Sequence, residues 1–87
     1  MPPLVSIITI NYNQLEHTCA LLHSLRNITY PNVEVIVIDN HSVENPEQVM
    51  LTQFPEVIFI RSAVNAGFAG GNNLGIDKAQ GEYLLFL

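Results

Sequence analysis

Hydrophobic residues fall into four short runs along the chain, separated by polar or mixed segments. The runs are Leu4–Ile10, Val33–Asp39, Val57–Arg61 and Glu82–Leu87. Near-continuous Val, Ile and Leu is typical of strands that are covered on both faces, as in a parallel sheet. The pattern therefore predicts four strands of a buried parallel sheet.

A helix is predicted in each interval between these runs. Asn13 is suited to cap the first helix, and Glu16 stands three residues further on, where a capping box needs an acidic side chain. Apolar side chains then recur at helical spacing, at Leu15, Cys19, Leu22 and Leu25. These features predict the first helix and its start.

The other two helices are also marked by boundary residues. In the second, Asn45 is the predicted cap and Pro46 the first helical residue. This helix is expected to stop before Pro55, because the residue ahead of a proline avoids helical geometry. The third helix is predicted from about residue 69 to residue 79, with Gly81 as its terminator.

The resulting element order is β-α-β-α-β-α-β. Right-handed crossovers make this order one half of a doubly wound α/β domain, a Rossmann-like unit. We expect a parallel sheet with strand order 3-2-1-4 in a three-layer α/β/α arrangement. In such sheets ligands bind beyond the carboxyl ends of the strands, where the strand order reverses, so the expected site is the crevice between the first and fourth strands.

Composition limits the classes of function. The chain has 87 residues, of which 48% are hydrophobic and 13% charged, so a disordered chain is excluded. Its formal net charge is −5, and the absence of a basic face makes a nucleic-acid partner unexpected. Cys19 is the only cysteine, which favours a reducing compartment, and no apolar run approaches the roughly 20 residues that span a bilayer. A soluble, cytoplasmic protein is expected.

Polar residues follow the first two predicted strands. After the first come Asn11, Tyr12 and Asn13, which are suited to stack on a planar ring and to hydrogen-bond it, although Asn13 has the alternative role of a helix cap. After the second comes Asp39, whose carboxylate is an acceptor for a ring N–H of uracil, thymine or guanine. The alternative is a strand-terminating turn in which Asp39 pairs with its neighbours in "DNHS".

A glycine-rich segment, "VNAGFAGGNNLG", follows the third strand and contains four of the five glycines. Its spacing differs from G-x-G-x-x-G and from the P-loop, so a dinucleotide-binding Rossmann domain is not indicated. Two interpretations stay open, a ligand loop at a helix N-terminus and close packing of that helix on the sheet. We expect both, with Gly67 needed for loop geometry and the later glycines for packing. The three histidines do not have the spacing of a metal site.

Four segments in this order carry a family resemblance. "VSIITINYNQ", "VEVIVIDNHS", "NAGFAGGNNLGI" and "GEYLLFL" resemble the start of a family 2 glycosyltransferase of the GT-A fold. The resemblance extends from Pro3 to Leu87. The form N-x-G-F-x-x-G-N-N-x-G is similar to the rhamnosyltransferase branch of that family.

The resemblance implies a nucleoside-diphosphate sugar as ligand, linked to UDP, dTDP or GDP. It implies that the base is held by the loop after the first strand and the Asp after the second, and that the glycine-rich segment borders the nucleotide. The matching positions are Asn11, Tyr12, Asn13 and Asp39 in the first group, and Asn65, Gly67, Phe68 and Asn73 in the second.

The resemblance also implies a Mg²⁺ or Mn²⁺ ion, held by an aspartate-rich motif directly after the fourth strand, and a carboxylate base further on. Neither lies in this chain, so we expect no catalytic residue, no metal ligand and no bound metal here. Residues 1–87 are interpreted as the N-terminal nucleotide-binding portion of the enzyme, truncated at the end of the fourth strand and inactive alone. The parent enzyme is expected to transfer the sugar, with inversion, to a hydroxyl of a saccharide or lipid-linked acceptor. It is expected in the cytoplasm, with attachment to the inner face of the membrane left open.

Three alternative classes of protein make different demands on the sequence. A receiver domain needs acidic residues after the first strand, where this chain has asparagines. A nucleotidyltransferase needs a glycine-rich basic loop there, which "NYNQ" does not supply. A non-catalytic α/β module that self-associates through exposed strand edges, forming a homo-oligomer, is left open.

Overall fold

The structure is a computed structural model, and it describes residues 2–87. Four strands form one parallel sheet in the order β3-β2-β1-β4, as predicted. Their bounds are Val5–Asn11 for β1, Val33–Asp39 for β2, Ile58–Arg61 for β3 and Tyr83–Phe86 for β4. The reversal of strand order between β1 and β4 is the position at which α/β sheets of this kind bind ligands.

Three helices cover the two faces of the sheet, which confirms the predicted α/β/α layering. Their bounds are Leu15–Leu25 for α1, Glu47–Gln53 for α2 and Gly67–Lys78 for α3. Neighbouring residues of β2 point to opposite faces, because side chains alternate along a strand. Val37 packs with α1 and α2 in one core, and Ile38 packs with α3 in the other.

Some element boundaries differ from the predicted ones by one or two residues. The first strand begins and ends one residue later than expected, so Asn11 is the last residue of β1 and not part of the following loop. α2 begins at Glu47 with Pro46 as the capping position, so the roles predicted for Asn45 and Pro46 each lie one residue too early. Asn45 Oδ1 accepts a local hydrogen bond from the Glu47 N–H at 3.0 Å. α3 begins two residues earlier than expected, at Gly67.

Two further boundary roles, those predicted for Asn13 and Gly81, are wrong. Asn13 does not cap α1: it has φ +53°, its side chain accepts a hydrogen bond from the Val43 N–H at 2.8 Å, and the residue before the helix is Gln14. Gly81 does not terminate α3, which ends at Lys78 with an extended residue after it. A Cβ on Gly81 would instead lie 2.7 Å from the backbone nitrogen of Ser6, so this glycine is required for close packing.

β4 is an edge strand with a strongly apolar surface. All four of its residues are exposed, as is Leu87 directly after it. The buried core lies instead on β1, β2 and the helices. Within residues 2–87, no helix is long and apolar enough to cross a bilayer.

Candidate nucleotide site at the carboxyl edge of the sheet

Two clefts flank the carboxyl end of β1, one on each face of the sheet. The α3-side cleft has a volume of about 430 Å³ and is lined by Ile10, Tyr12, Gln14, Asn40, Asn65, Gly67, Phe68 and Leu87. The α1-side cleft has a volume of about 340 Å³ and is lined by Asn11, Asn13, Leu15, Ser42, Val43 and Glu44. The α3-side cleft lies at the expected crevice, since it receives residues from β1 and from the end of β4.

A row of polar side chains crosses the three strands β1, β2 and β3 at their carboxyl ends. Asn11, Asp39 and Arg61 are neighbours in the strand register, so their side chains project from the same face of the sheet. Asn11 Nδ2 donates to Asp39 Oδ1 at 2.9 Å, and Arg61 Nη1 donates to Asp39 Oδ2 at 2.9 Å. The face is that of α1, because Thr18 of this helix donates to Asn11 Oδ1 at 2.6 Å.

Asp39 is completely buried, and both of its carboxylate oxygens are fully used by the protein. Oδ1 accepts from Asn11 Nδ2 and from Ser42 Oγ, at 2.9 and 2.5 Å. Oδ2 accepts from the Ser42 N–H at 3.1 Å and from Arg61 Nη1 at 2.9 Å. Because a carboxylate offers about four lone-pair positions, a ligand N–H can bind Asp39 only by displacing one of these donors.

The eight residues expected to bind the ligand therefore separate into groups. Tyr12, Asn65, Gly67 and Phe68 come together around the α3-side cleft. Asn11 and Asp39 lie next to each other in the buried row. The remaining two lie elsewhere: Asn13 lines the α1-side cleft, and Asn73 is exposed on the second turn of α3.

The α3-side cleft combines two exposed aromatic rings with amide side chains. Tyr12 is 44% exposed and comes from the β1–α1 connection, and Phe68 is 73% exposed and comes from the first turn of α3. Gln14 and Asn65 add amide groups to the lining. Aromatic faces and a few polar groups are what a concave site for a planar polar ligand offers.

The glycines of the Val64–Gly75 segment have two different roles, as expected for Gly67, Gly71 and Gly75. Gly70 differs from the expectation, because a Cβ there would meet Ala66 Cβ, at 2.7 Å, and no atom of the sheet. Gly67 has φ +73°, a conformation that side chains with a Cβ rarely adopt, and a Cβ there would meet no atom within 4 Å. At Gly71 a Cβ would lie 2.8 Å from Ile10 Cδ1, and at Gly75 it would lie 2.5 Å from Ile8 Cγ2. The loop conformation depends on the first glycine, and the close approach of α3 to β1 depends on the other two.

Several residues that build the site were not singled out from the sequence as functional. Asn40 and Ser42 follow Asp39 in "DNHS", where the sequence indicates only a turn, and Arg61 is the last residue of the third predicted strand. In the structure Ser42 bonds Asp39 and also accepts from the Asn13 N–H at 2.9 Å, so it joins the loops after β1 and β2. Their position directly after a predicted strand is the signal by which they could have been found.

The charges near the clefts are limited. Arg61 is bound to Asp39 and also donates from Nη2 to the Ser42 carbonyl at 3.0 Å. Across residues 2–87, no group of three or more His, Cys, Asp or Glu side chains is arranged to hold a metal ion.

Comparison with known proteins shows the family to which this architecture belongs. Residues 6–87 match the family described as glycosyl transferase family 2. An uncharacterized glycosyltransferase of Haemophilus influenzae is 39% identical over 84 residues, which cover 97% of this chain and 28% of that protein. The chain spans between 12% and 35% of the length of the curated relatives it matches.

Solved structures share the fold. S. aureus TarS 1–349 in complex with UDP has a TM-score of 0.84 and 27% identity, over 97% of this chain and 26% of that one. The mannosyltransferase PcManGT of Pyrobaculum calidifontis, in complex with GDP-Man and Mn²⁺, has a TM-score of 0.84 at 24% identity, over the same shares of the two chains, a likeness of fold. The sheet order and these matches define the Rossmann-like half of a GT-A fold. The chain belongs to glycosyl transferase family 2.

Proposed function

We propose that this chain is the N-terminal nucleotide-sugar-binding portion of a glycosyltransferase. The enzyme transfers a sugar from a nucleoside-diphosphate sugar to a hydroxyl of a saccharide or lipid-linked acceptor. The observation that carries the proposal is the α3-side cleft, which lies at the reversal of strand order and is bordered by Tyr12 and Phe68. TarS, which this chain resembles, has been solved with UDP and with UDP-GlcNAc.

Within this proposal, the residues of the chain bind and orient the nucleoside. The face of Tyr12 stacks on the base, Phe68 closes the opposite side, and Gln14 and Asn65 hydrogen-bond polar atoms of the ligand. The family resemblance assigns Asn11 and Asn13 to the loop that holds the base, and Gly67 and Asn73 to the segment that borders the nucleotide. These four assignments stay predictions.

Asp39 can make its predicted contact with a ring N–H of the base only if one of the donors now hydrogen-bonded to its carboxylate moves away. Arg61 is the donor whose side chain is partly exposed, at 25%, so it is the one that a ligand can reach.

The transfer step itself uses groups outside this chain. An acceptor hydroxyl loses its proton to a carboxylate base and attacks the anomeric carbon. The bond from that carbon to the diphosphate oxygen breaks, and the configuration at the carbon inverts. Following the family resemblance, we place the Mg²⁺ or Mn²⁺ ligands outside the chain; within residues 2–87 no group of three or more His, Cys, Asp or Glu side chains is arranged to hold a metal ion.

A second candidate, self-association without catalysis, is favoured by one observation. β4 exposes apolar side chains on a free edge of the sheet, and such edges pair with other strands. Sedimentation or light scattering over a concentration series tests it. A strict monomer at all concentrations would count against this candidate and would leave the nucleotide-binding proposal untouched.

Calorimetric titration of the chain with UDP, dTDP and GDP tests the main proposal. Saturable binding of a nucleotide that Tyr12→Ala weakens supports it. Leu51→Ala is the matched control, because Leu51 is also exposed but lies on α2 outside both clefts. Equal weakening by the control, or no binding by a folded chain, counts against it.

A further inference from the structure

Asn40, the residue directly after β2, holds the glycine-rich loop through its side chain. Its Oδ1 accepts a hydrogen bond from the Ala66 N–H at 2.8 Å, and its Nδ2 donates to the Gly67 carbonyl at 2.9 Å. These two backbone groups lie on either side of the Ala66–Gly67 peptide bond. One amide side chain therefore holds the peptide groups on both sides of the Ala66–Gly67 bond.

Asn40 is itself fixed in place. Its side chain is buried, and its backbone N–H donates to the Asn11 carbonyl at 2.9 Å, which continues the pairing of β1 with β2. A Cβ on Gly71 would lie 3.4 Å from Asn40 Nδ2, so α3 packs closely over the amide. The two side-chain bonds of Asn40 to Ala66 and Gly67, which we call the Asn40 clamp, thus connect the sheet to the loop.

The loop needs the bonds to Asn40, because a glycine at position 67 does not by itself select one backbone conformation. Glycine populates positive and negative φ about equally, and a Cβ at this position would meet no neighbouring atom, so packing at Gly67 does not select φ +73°. The Gly67 N–H is bonded only locally, to Asn65 Oδ1 at 2.9 Å. The bonds to Asn40 tie the selected conformation to β2.

Phe68 follows Gly67 directly and forms a wall of the α3-side cleft. Its direction depends on the backbone conformation that Asn40 holds. Oδ1 and one N–H of Nδ2 of the Asn40 side chain are used by the loop, and these two bonds act on a ligand through Gly67 and Phe68. We propose that Asn40 is a positioning residue that sets the shape of the α3-side cleft for its nucleotide, an inference that rests on the proposed function.

Asn40→Asp tests the positioning role, because it replaces only the side-chain NH₂ group by an oxygen. At pH 7.5 the carboxylate still accepts from the Ala66 N–H, but it has no donor for the Gly67 carbonyl and repels it. At low pH the protonated carboxyl regains a donor and matches the amide in shape. Burial beside a carbonyl oxygen raises the pKa of the introduced carboxyl above the ordinary aspartate value of about 3.9, so pH 4.5 lies within reach of this recovery.

The measured quantity is the ratio of nucleotide affinities, wild type over Asn40→Asp, with UDP, dTDP and GDP as probes. We expect binding by the variant to be weaker by about fivefold or more at pH 7.5, and the difference to shrink at pH 4.5. Asn45→Asp is the matched control: it adds the same charge, and Asn45 makes only a local bond to the start of α2. A ratio of one, a loss that does not change with pH, or an equal loss in the control would overturn the proposal.

A second measurement separates this inference from the proposed function. If the wild-type chain binds none of the nucleotides, the proposed function fails, and the clamp is tested in the free protein with Asn40→Ala. We then expect hydrogen exchange at the Ala66 amide to accelerate about tenfold or more while amides of β1 and β2 keep their rates. Unchanged exchange at Ala66 would overturn the positioning role.

Discussion

Arg61 and Asp39 occupy matching positions on β3 and β2, and Nη1 of Arg61 lies 2.9 Å from Oδ2 of Asp39. The carboxylate is completely buried, whereas a quarter of the Arg61 side chain is exposed. Asp39 therefore joins β2 to β1 and β3 through its hydrogen bonds. Of the side chains that bond its carboxylate, Arg61 is partly exposed, whereas Asn11 and Ser42 are buried. A residue expected to contact a ligand is thus also a structural centre of the carboxyl edge.

Removing the arginine should destabilise the fold. Arg61→Met leaves Asp39 buried without its counter-charge. Breaking a buried pair in this way lowers the free energy of unfolding by about 3–5 kcal/mol. Because Arg61 is partly exposed, we expect a loss of about 2–3 kcal/mol here. Denaturant unfolding measures the change. Arg26→Met is the comparison, since Arg26 pairs with Glu56 at the surface and should cost less. Equal losses in the two variants would mean that the buried pair has no special weight.

Gly75→Ala should destabilise the packing of α3. The added methyl would lie 2.5 Å from Ile8 Cγ2, and overpacking of this kind costs about 1–3 kcal/mol. Asp77→Ala, at an exposed position of the same helix, should change the free energy of unfolding by less than about 0.5 kcal/mol. A Gly75→Ala chain as stable as the wild type would show that α3 can move away from β1 without cost.

The surface ion pair of Arg26 and Glu56 gives a prediction for acid pH. Hydrogen bonds from Arg26 lower the pKa of Glu56 to about 2. The unfolded value is higher, about 4.3, so the pair stabilises the fold above that pH, and the contribution is lost as the pH falls towards 2. The stability difference between wild type and Glu56→Gln should therefore shrink between pH 5 and pH 2, as measured by denaturant midpoints. Because both side chains are exposed, 1 M salt should also reduce this stability difference at pH 6. A stability difference that changes with neither pH nor salt would contradict the prediction.

The 87-residue chain should not transfer sugar by itself. Among the described residues no group of three or more His, Cys, Asp or Glu side chains is arranged to hold a metal ion, and our proposal places the metal ligands and the base outside the chain. The measurement is release of UDP or GDP and product formation from UDP- or GDP-sugars with Mg²⁺ or Mn²⁺ and a range of saccharide acceptors. Metal-dependent transfer by the purified chain would contradict the assignment of this chemistry to other residues.

The fold could be predicted closely because its signals are local. Runs such as "VEVIVID" identify the strands, and the order of the elements restricts the sheet to very few topologies. The errors also have local causes. Asn13 is a good capping residue by type, but its side chain bonds Val43 in a loop that lies far away in sequence. Gly81 looked like a helix terminator, whereas its backbone packs against Leu4 and Ser6.

The site was only partly predictable, because its connections join distant segments. Tyr12 and Phe68 were expected at a common site, and both line the α3-side cleft. The burial of Asp39 could not be inferred, since its partners come from β1, from β3 and from the loop after β2, and depend on the exact register. The same holds for Asn40, whose partners lie 26 and 27 residues further along the chain.

Mapping the nucleotide on the chain is the most direct test of the donor-site proposal. We would titrate the ¹⁵N-labelled protein with UDP, dTDP and GDP and follow the backbone amides, with Tyr12→Ala and Phe68→Ala as variants and Leu51→Ala as the control. We predict saturable shifts at Tyr12, Gln14, Gly67 and Phe68 for one nucleotide, weakened in both cleft variants and retained in the control. A folded chain that shows no saturable shifts, or shifts only away from the α3-side cleft, would contradict the proposal.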